Sequence, residues 1–208
     1  MQEISKHRVV RIRVYILTFL ALASFVAADA ARADSESSQE YQVKAAFLYN
    51  FINFVDWPEE KLAESKDSIT IGIIGKDPFG KAFEPIRNKQ VKGKEILIRR
   101  FKGFEQSQQS GAQIEAMRKC HLLFICRSEK KQLREIINSV KGRSVLAVGD
   151  VAGFLESGGI INFLMEDKKV RFEINNTAAK QAKLAIRSKL LRLAKRVIGQ
   201  ETSDEAEN

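Results

Sequence analysis

Between Tyr41 and Trp57 apolar residues return at every third or fourth position. Val43, Phe47, Phe51 and Phe54 form one stripe, and Leu48, Ile52 and Val55 form a second beside it. That spacing predicts a helix from about Glu40 to Val55 whose wide apolar face is buried on more than one side. Ser37-Ser-Gln-Glu40 supplies a capping-box pattern at its start. Trp57-Pro58 stops it, because proline disfavours helical backbone in the residue before it. Trp57 then reads as a large apolar anchor that packs the helix onto the rest of the core.

Beyond Pro58 the period changes. Ser68-Ile-Thr-Ile-Gly-Ile-Ile-Gly75 is a continuous β-branched run, the pattern of a central parallel strand covered on both faces. A Gly/Pro turn and a short helix (about Phe79 to Arg87) come next, followed by a strand from Val91 to Arg100, a helix from Ala112 to Lys119 and a strand from His121 to Cys126. Ser128 is placed to cap a helix over Lys130 to Val140, and Ser144 to Val148 is another short buried strand. Strand and helix alternate, which predicts a three-layer α/β fold: a mostly parallel sheet flanked by helices. After Gly158-Gly159 the pattern becomes that of an antiparallel hairpin near the C-terminus, Ile160 to Met165 and Lys169 to Asn175 around the polar loop Glu166-Asp167-Lys168. Asn176-Thr177 then caps a helical region in which Leu184, Leu190, Leu191, Leu193, Ala194, Val197 and Ile198 alternate with Arg187, Lys189, Arg192, Lys195 and Arg196. Its basic face is either the solvated side of a docked helix or a surface for anionic lipid or an acidic partner.

The N-terminus changes the compartment. A basic opening (Lys6, Arg8, Arg11, Arg13) leads into the apolar stretch Val14 to Ala28 and then Ala31-Arg32-Ala33, which predicts a signal peptide over residues 1–33 with cleavage near Ala33. The domain expected after it runs over 34–199, with an acidic tail over 200–208. Five basic and two acidic residues leave with the signal, so the formal charge of +9 becomes +6. An export signal and a charge of that size argue against nucleic acid as a partner. The two cysteines, Cys120 and Cys126, flank one predicted strand. A straight strand would hold them about 20 Å apart, so two buried thiols are expected. A bridge would require Cys120 to precede the strand and the chain to bend back.

Candidate chemistry is sparse. Gly75-Lys-Asp-Pro-Phe-Gly80-Lys81-Ala82 lacks only the final hydroxyl of a phosphate-binding loop. Ala82 cannot ligate Mg²⁺ and Pro78 removes an amide, so an ordinary strand-to-helix turn is the expectation. His121 beside Cys120 is the sole histidine after the signal segment, and strand neighbours face opposite ways, so the pair reads as packing. Two thiols and one imidazole make no metal site, and neither a cofactor nor catalysis is expected. The outward series Arg171, Glu173 and Asn175, with Asn162 from the neighbouring strand, is either a solvated edge or a polar recognition cluster for a partner or ligand.

Several of these segments together resemble the YfiR-like (DUF4154) family of periplasmic proteins. They are Tyr41-Gln-Val-Lys-Ala-Ala-Phe-Leu-Tyr-Asn-Phe51 through Phe54-Val-Asp-Trp57-Pro58, Ile71-Gly-Ile-Ile-Gly75 with Asp77-Pro78-Phe79-Gly80, and Cys120-His-Leu-Leu-Phe-Ile125. Gly158-Gly-Ile-Ile-Asn-Phe163, Val170-Arg-Phe-Glu-Ile-Asn175 and Ser188-Lys-Leu-Leu-Arg-Leu-Ala194 complete the set. The resemblance implies an exported, non-enzymatic regulator that represses an inner-membrane diguanylate cyclase by binding its periplasmic sensor part, so that cyclic-di-GMP and biofilm formation rise when repression is lifted. It also implies capture by an OmpA-like outer-membrane lipoprotein, and it allows a homodimer. The family's namesake carries more cysteines in disulfides, a departure that puts redox control here in doubt. The competing expectation is a periplasmic small-ligand-binding or sensor protein with its site at the carboxyl ends of the parallel strands.

Overall fold

In the first helix, α1 (residues 37–54), the predicted stripe of Leu48 and Ile52 is buried, with Val55 just beyond it, but of the other stripe only Phe51 is fully buried. The computed structural model describes residues 37–65, 67–87, 89–107 and 111–199. The expected signal peptide and acidic tail lie outside the described residues. The stripe buries Tyr41, Lys44, Ala45, Leu48, Phe51 and Ile52, while Val43, expected in the core, is 41% exposed. A lysine takes that inward position because a carboxylate waits for it. Ser37 is already helical, which corrects its reading as the first residue of a capping box.

The helix gives way to β1 (Val55–Asp56) and α2 (Glu59–Ala63), and then to the central strand β2 (Ser68–Ile74). Next come a 3₁₀ turn at Glu84–Ile86, β3 (Gln90–Val91), β4 (Lys94–Phe101), α3 (Phe104–Ser107), α4 (Gly111–Arg118) and β5 (Leu122–Ile125). A 3₁₀ helix at Arg127–Gln132 leads into α5 (Leu133–Val140), β6 (Leu146–Gly149), β7 (Ile161–Glu166) and β8 (Lys169–Asn175). The chain continues through α6 (Asn176–Gln181), β9 (Ala185–Ile186), α7 (Ser188–Leu191) and β10 (Arg196–Ile198).

The order in the eight-stranded sheet is β10-β8-β7-β6-β5-β2-β4-β3. Strands β4, β2, β5, β6 and β7 are parallel; β3 and β8 pair antiparallel with β4 and β7. This is the expected α/β architecture. Its two faces carry separate apolar clusters. One, under α1, joins Leu48, Phe51, Ile71, Phe124 and Phe163; the other, under α4 and α5, joins Ile74, Met117, Leu123, Ile136 and Phe154. At Gly72, in the middle of β2, an added Cβ would come within 2.8 Å of both Cys120 Sγ and the Phe101 ring, so only glycine lets those side chains close over the strand.

Four local expectations are corrected. The strand from Val91 to Arg100 is a hairpin, β3 turning into β4 through Lys92 (φ 53°) and Gly93 (φ 74°), the two positive values that a tight two-residue turn requires. The helix over Phe79 to Arg87 is a turn followed by one 3₁₀ element. Ser128 lies within the 3₁₀ helix and caps nothing; its hydroxyl accepts from the Lys76 amide at 2.9 Å and donates to Glu129. The largest correction is at the C-terminus, where the single amphipathic helix is broken into α6, β9, α7 and β10. Lys183 adopts φ 57° and ends α6. Val197 and Ile198 become an edge strand parallel to β8. The cap of α6 is Asn175, whose Oδ1 accepts from the Ala178 amide at 2.9 Å, one residue before the Asn176-Thr177 pair.

Strands β1 and β9 form a separate two-stranded antiparallel sheet. Asp56 fastens it. Arg187 Nε and NH2 reach its two oxygens at 2.9 and 2.8 Å, and Lys92 approaches at 2.9 Å. The hydrogen bonds from Arg187 hold the Asp56 carboxyl down to about 2.

Candidate functional site

The sheet reverses direction of travel at β2: the chain leaves toward β4 and returns across it to β5, β6 and β7. In open α/β sheets the carboxyl ends of the strands at such a point are where ligands bind. Here that edge is filled by the protein's own charged groups. Asp150, directly after β6, is buried, and its Oδ2 accepts from Lys44 Nζ at 2.6 Å and Tyr41 OH at 2.9 Å. Arg127, at the start of the 3₁₀ helix after β5, reaches the same oxygen at 3.1 Å from a half-exposed position and also donates to the Asp150 carbonyl at 3.3 Å. Lys44 Nζ lies 4.3 Å from the centre of the Tyr41 ring, so its charge is held by a carboxylate and an aromatic face together. Asp150 Oδ1 is buried with no hydrogen-bond partner.

The neighbouring loop after β2 is closed in the same way. Asp77 Oδ1 accepts from the Phe79 amide at 2.8 Å and Oδ2 from Arg100 Nε at 2.6 Å. Buried Glu129 accepts from the Phe104 amide at 2.8 Å. With the Lys76 amide given to Ser128 and the Phe79 amide to Asp77, two of the donors that a phosphate loop would turn toward a ligand are engaged by side chains. The segment Gly75 to Ala82 is thus an ordinary turn, as its missing hydroxyl predicts.

The polar series on the hairpin is partly consumed by structure. Asn162 lies directly across from Glu173, and Arg171 across from Leu164, so Asn162, Glu173 and Arg171 share one face of the β7/β8 pair. Arg171 is exposed. Glu173 accepts from Arg196 Nε on β10 at 2.5 Å, and Arg196 NH2 reaches Glu156 at 3.4 Å. Asn162 is buried and its Oδ1 has no hydrogen-bond partner. Asn175 spends its amide on Leu155 O at 3.1 Å and its oxygen on the α6 cap.

The remaining reactive side chains are chemically quiet. His121 Nδ1 accepts from the Thr70 amide at 3.1 Å, and its ring meets Trp57 edge-on with centroids 6.0 Å apart. Burial pushes the imidazole down to about 4, so the ring is neutral at pH 7. Burial likewise pushes the Cys120 thiol up to about 12 and Cys126 higher still. Both are free and buried, as expected. A straight strand would put residues 120 and 126 on one face, but Cys120 precedes β5, and the two thiols belong to the clusters on opposite faces of the sheet. Among the described residues no group of three His, Cys, Asp or Glu side chains could hold a metal ion.

Sequence reasoning missed the Lys44–Asp150–Arg127–Tyr41 cluster. The available signal was a lysine within an otherwise apolar helix and an aspartate directly after a buried strand.

No curated protein matches the sequence. Among solved structures the chain is similar to a conserved domain protein from Vibrio cholerae O1 biovar El Tor strain N16961, at 14% identity and TM-score 0.45 over 68% of this chain and 60% of that one. It is also similar to the ABC domain in complex with L-Trp from Streptococcus pneumoniae, at 11% identity and TM-score 0.49 over 62% of this chain and 55% of that one. The chain thus spans less than two thirds of either protein's length. The sequence profile described as YfiR/HmsC-like matches residues 41–195, the stretch from the first buried residue of α1 to the threshold of β10. By that match the chain belongs to the YfiR/HmsC-like (DUF4154) family.

Proposed function

We propose that this protein is a periplasmic repressor that binds the periplasmic part of an inner-membrane diguanylate cyclase, holding down cyclic-di-GMP and biofilm formation. The observation that carries the reading is the family match over residues 41–195, since the family acts as periplasmic regulators of cyclic-di-GMP signalling. Two features support it. No helix among the described residues is long and apolar enough to cross a membrane, in keeping with an exported domain released by cleavage near Ala33. Apart from exposed Arg171, the titratable groups just described are buried, paired or neutral, which suits a binding module better than a catalyst. The recognition surface we assign is the β7/β8 face bearing Arg171 and Glu173, with Asn162 beneath and Asn175 fixing its end. An OmpA-like lipoprotein that captures the repressor would be the releasing partner, and self-association as a homodimer is compatible with the same reading.

The test is genetic and biochemical. Deleting the gene should raise cyclic-di-GMP, and Arg171→Ala should reproduce that rise while leaving the urea unfolding midpoint unchanged. An unaltered cyclic-di-GMP level on deletion would sink the reading. If Arg171→Ala loses its unfolding transition, the assigned surface is wrong.

A further inference from the structure

A second polar site lies at the opposite end of the sheet, where β5 and β6 begin. A groove of about 500 Å³ opens there, lined by α2, the end of α4, the loop before β6 and the turn after α6. Its volume falls in the range of small-molecule sites. Charge is unevenly settled along it. Lys61 pairs with Glu64 at 3.8 Å, and Arg118 pairs with Glu115. Lys119, Arg143 and Lys183 line the same groove, are exposed, and have no acidic partner among the described residues, where Glu60 is the one lining acid outside a pair. Three unpaired cations against one unpaired carboxylate leave a local surplus of two positive charges. Burial lowers the affinity of Lys61 for its proton; Glu64 opposes that lowering, and Arg143 adds a smaller contribution to it.

The backbone of the rim is unusual as well. Gly142 (φ 72°), Ser144 (φ 52°) and Lys183 (φ 57°) are all in the left-handed region, where non-glycine residues are uncommon and persist only if the surroundings hold them. Such a bend at 142–144 presents Arg143 outward while burying Ser144. Helix-end preference explains a basic residue at the last turn of α4. It does not explain why Arg143 and Lys183, from two other segments, converge on the same groove without partners.

We propose that this groove binds a compact dianion of the phosphate-monoester class, held by Arg143, Lys183 and Lys119. A surplus of two positive charges matches such a group. The planar fork of Arg143 suits two phosphate oxygens, and the flanking ammonium groups supply point charges. The groove is larger than phosphate itself, which leaves room for an organic substituent. This inference is independent of the regulatory reading and does not use the β7/β8 face.

Calorimetric titration at fixed ionic strength, with inorganic phosphate and with glycerol 3-phosphate as probes, tests it. The parent should show saturable binding. Arg143→Gln/Lys183→Gln should bind at least about tenfold more weakly, the scale set by losing charge-assisted hydrogen bonds. Lys130→Gln/Lys131→Gln, which removes two exposed cations from the 3₁₀ helix after β5, should bind like the parent. No saturable binding in the parent, equal affinity in the groove variant, or an equal loss in the control variant each overturns the proposal. Co-sedimentation with phosphatidylglycerol vesicles distinguishes the source: vesicle binding that the groove variant abolishes, with neither free probe bound, would mean a membrane surface instead of a small ligand and would overturn it too.

Discussion

Removing Asp150 should damage this protein far more than removing Lys44, although the two form one ion pair. Lys44 is fully buried and its ammonium lies 2.6 Å from Asp150 Oδ2. Asp150→Ala leaves that ammonium in the interior without its nearest carboxylate and takes away the acceptor of Tyr41 OH. Breaking a buried pair from one side typically costs about 3–5 kcal/mol, up to half or more of a small domain's total of roughly 5–15 kcal/mol. Lys44→Met is milder for two reasons. The apolar stem keeps its packing, and Asp150 retains the Arg127 guanidinium at 3.1 Å and the Tyr41 hydroxyl. Its cost should be about 1.5–3 kcal/mol, the scale of one charge-assisted hydrogen bond. The double variant Lys44→Met/Asp150→Leu replaces the pair with apolar groups and should recover most of the loss. Equilibrium urea unfolding of the three variants measures each cost. The reasoning fails if Lys44→Met costs as much as Asp150→Ala, or if the double variant is no more stable than Asp150→Ala alone.

Three further outcomes follow from the same interior. Trp57 is 6% exposed and stands against His121, so Trp57→Ala should lose about 3–5 kcal/mol; a stability within about 1 kcal/mol of the parent with partner binding abolished would instead make it a contact residue. His121 is held neutral at about 4 in the folded protein against an ordinary 6.5. Its contribution is therefore fully present above pH 6.5 and is lost as pH falls toward 4, roughly 3 kcal/mol in all, so His121→Gln should flatten the fall in the urea midpoint between pH 7 and 4.5, and an unchanged slope refutes the assignment. Cys120 and Cys126 should resist a thiol reagent at pH 8 in the native protein and both react in urea, because burial keeps them protonated; fast labelling of the folded chain would show that one is accessible.

The architecture was legible because its signals are local and redundant. The β-branched run of β2, the four buried residues of β5 and the alternation along β8 each carry a period that survives packing. The failures have a common cause. In the first helix the apolar stripe was wide enough to be read two ways, and only the distant Asp150 decides that Lys44 turns in and Val43 out. At the C-terminus the helical spacing of Leu184 to Ile198 is overridden because β8 still has an unpaired edge, and Val197 and Ile198 gain more by pairing with it than by extending α6. Lys92-Gly93 lacks the usual Asn-Gly or Asp-Gly pair, so the β3/β4 turn gave little warning. Of the hairpin's polar series, the face was legible, but the use of Asn175 as a cap and of Glu173 by Arg196 depends on neighbours placed by the fold.

The two ends of the sheet therefore differ in what they leave open to a partner or ligand. At the carboxyl ends of the strands, Asp150 (through Oδ2), Glu129 and Asp77 are engaged by Lys44, Arg127, Ser128, Arg100 and main-chain amides. A ligand entering there would have to displace a buried ion pair, which is costly in a low-dielectric interior. At the amino ends, Lys119, Arg143 and Lys183 face a groove with charge to spare, and an anion entering it would relieve repulsion already present. The energetic gradient for a small anion thus runs opposite to the usual rule for open α/β sheets. A small anion sensed at the strand beginnings would leave the proposed recognition face of β7 and β8 free.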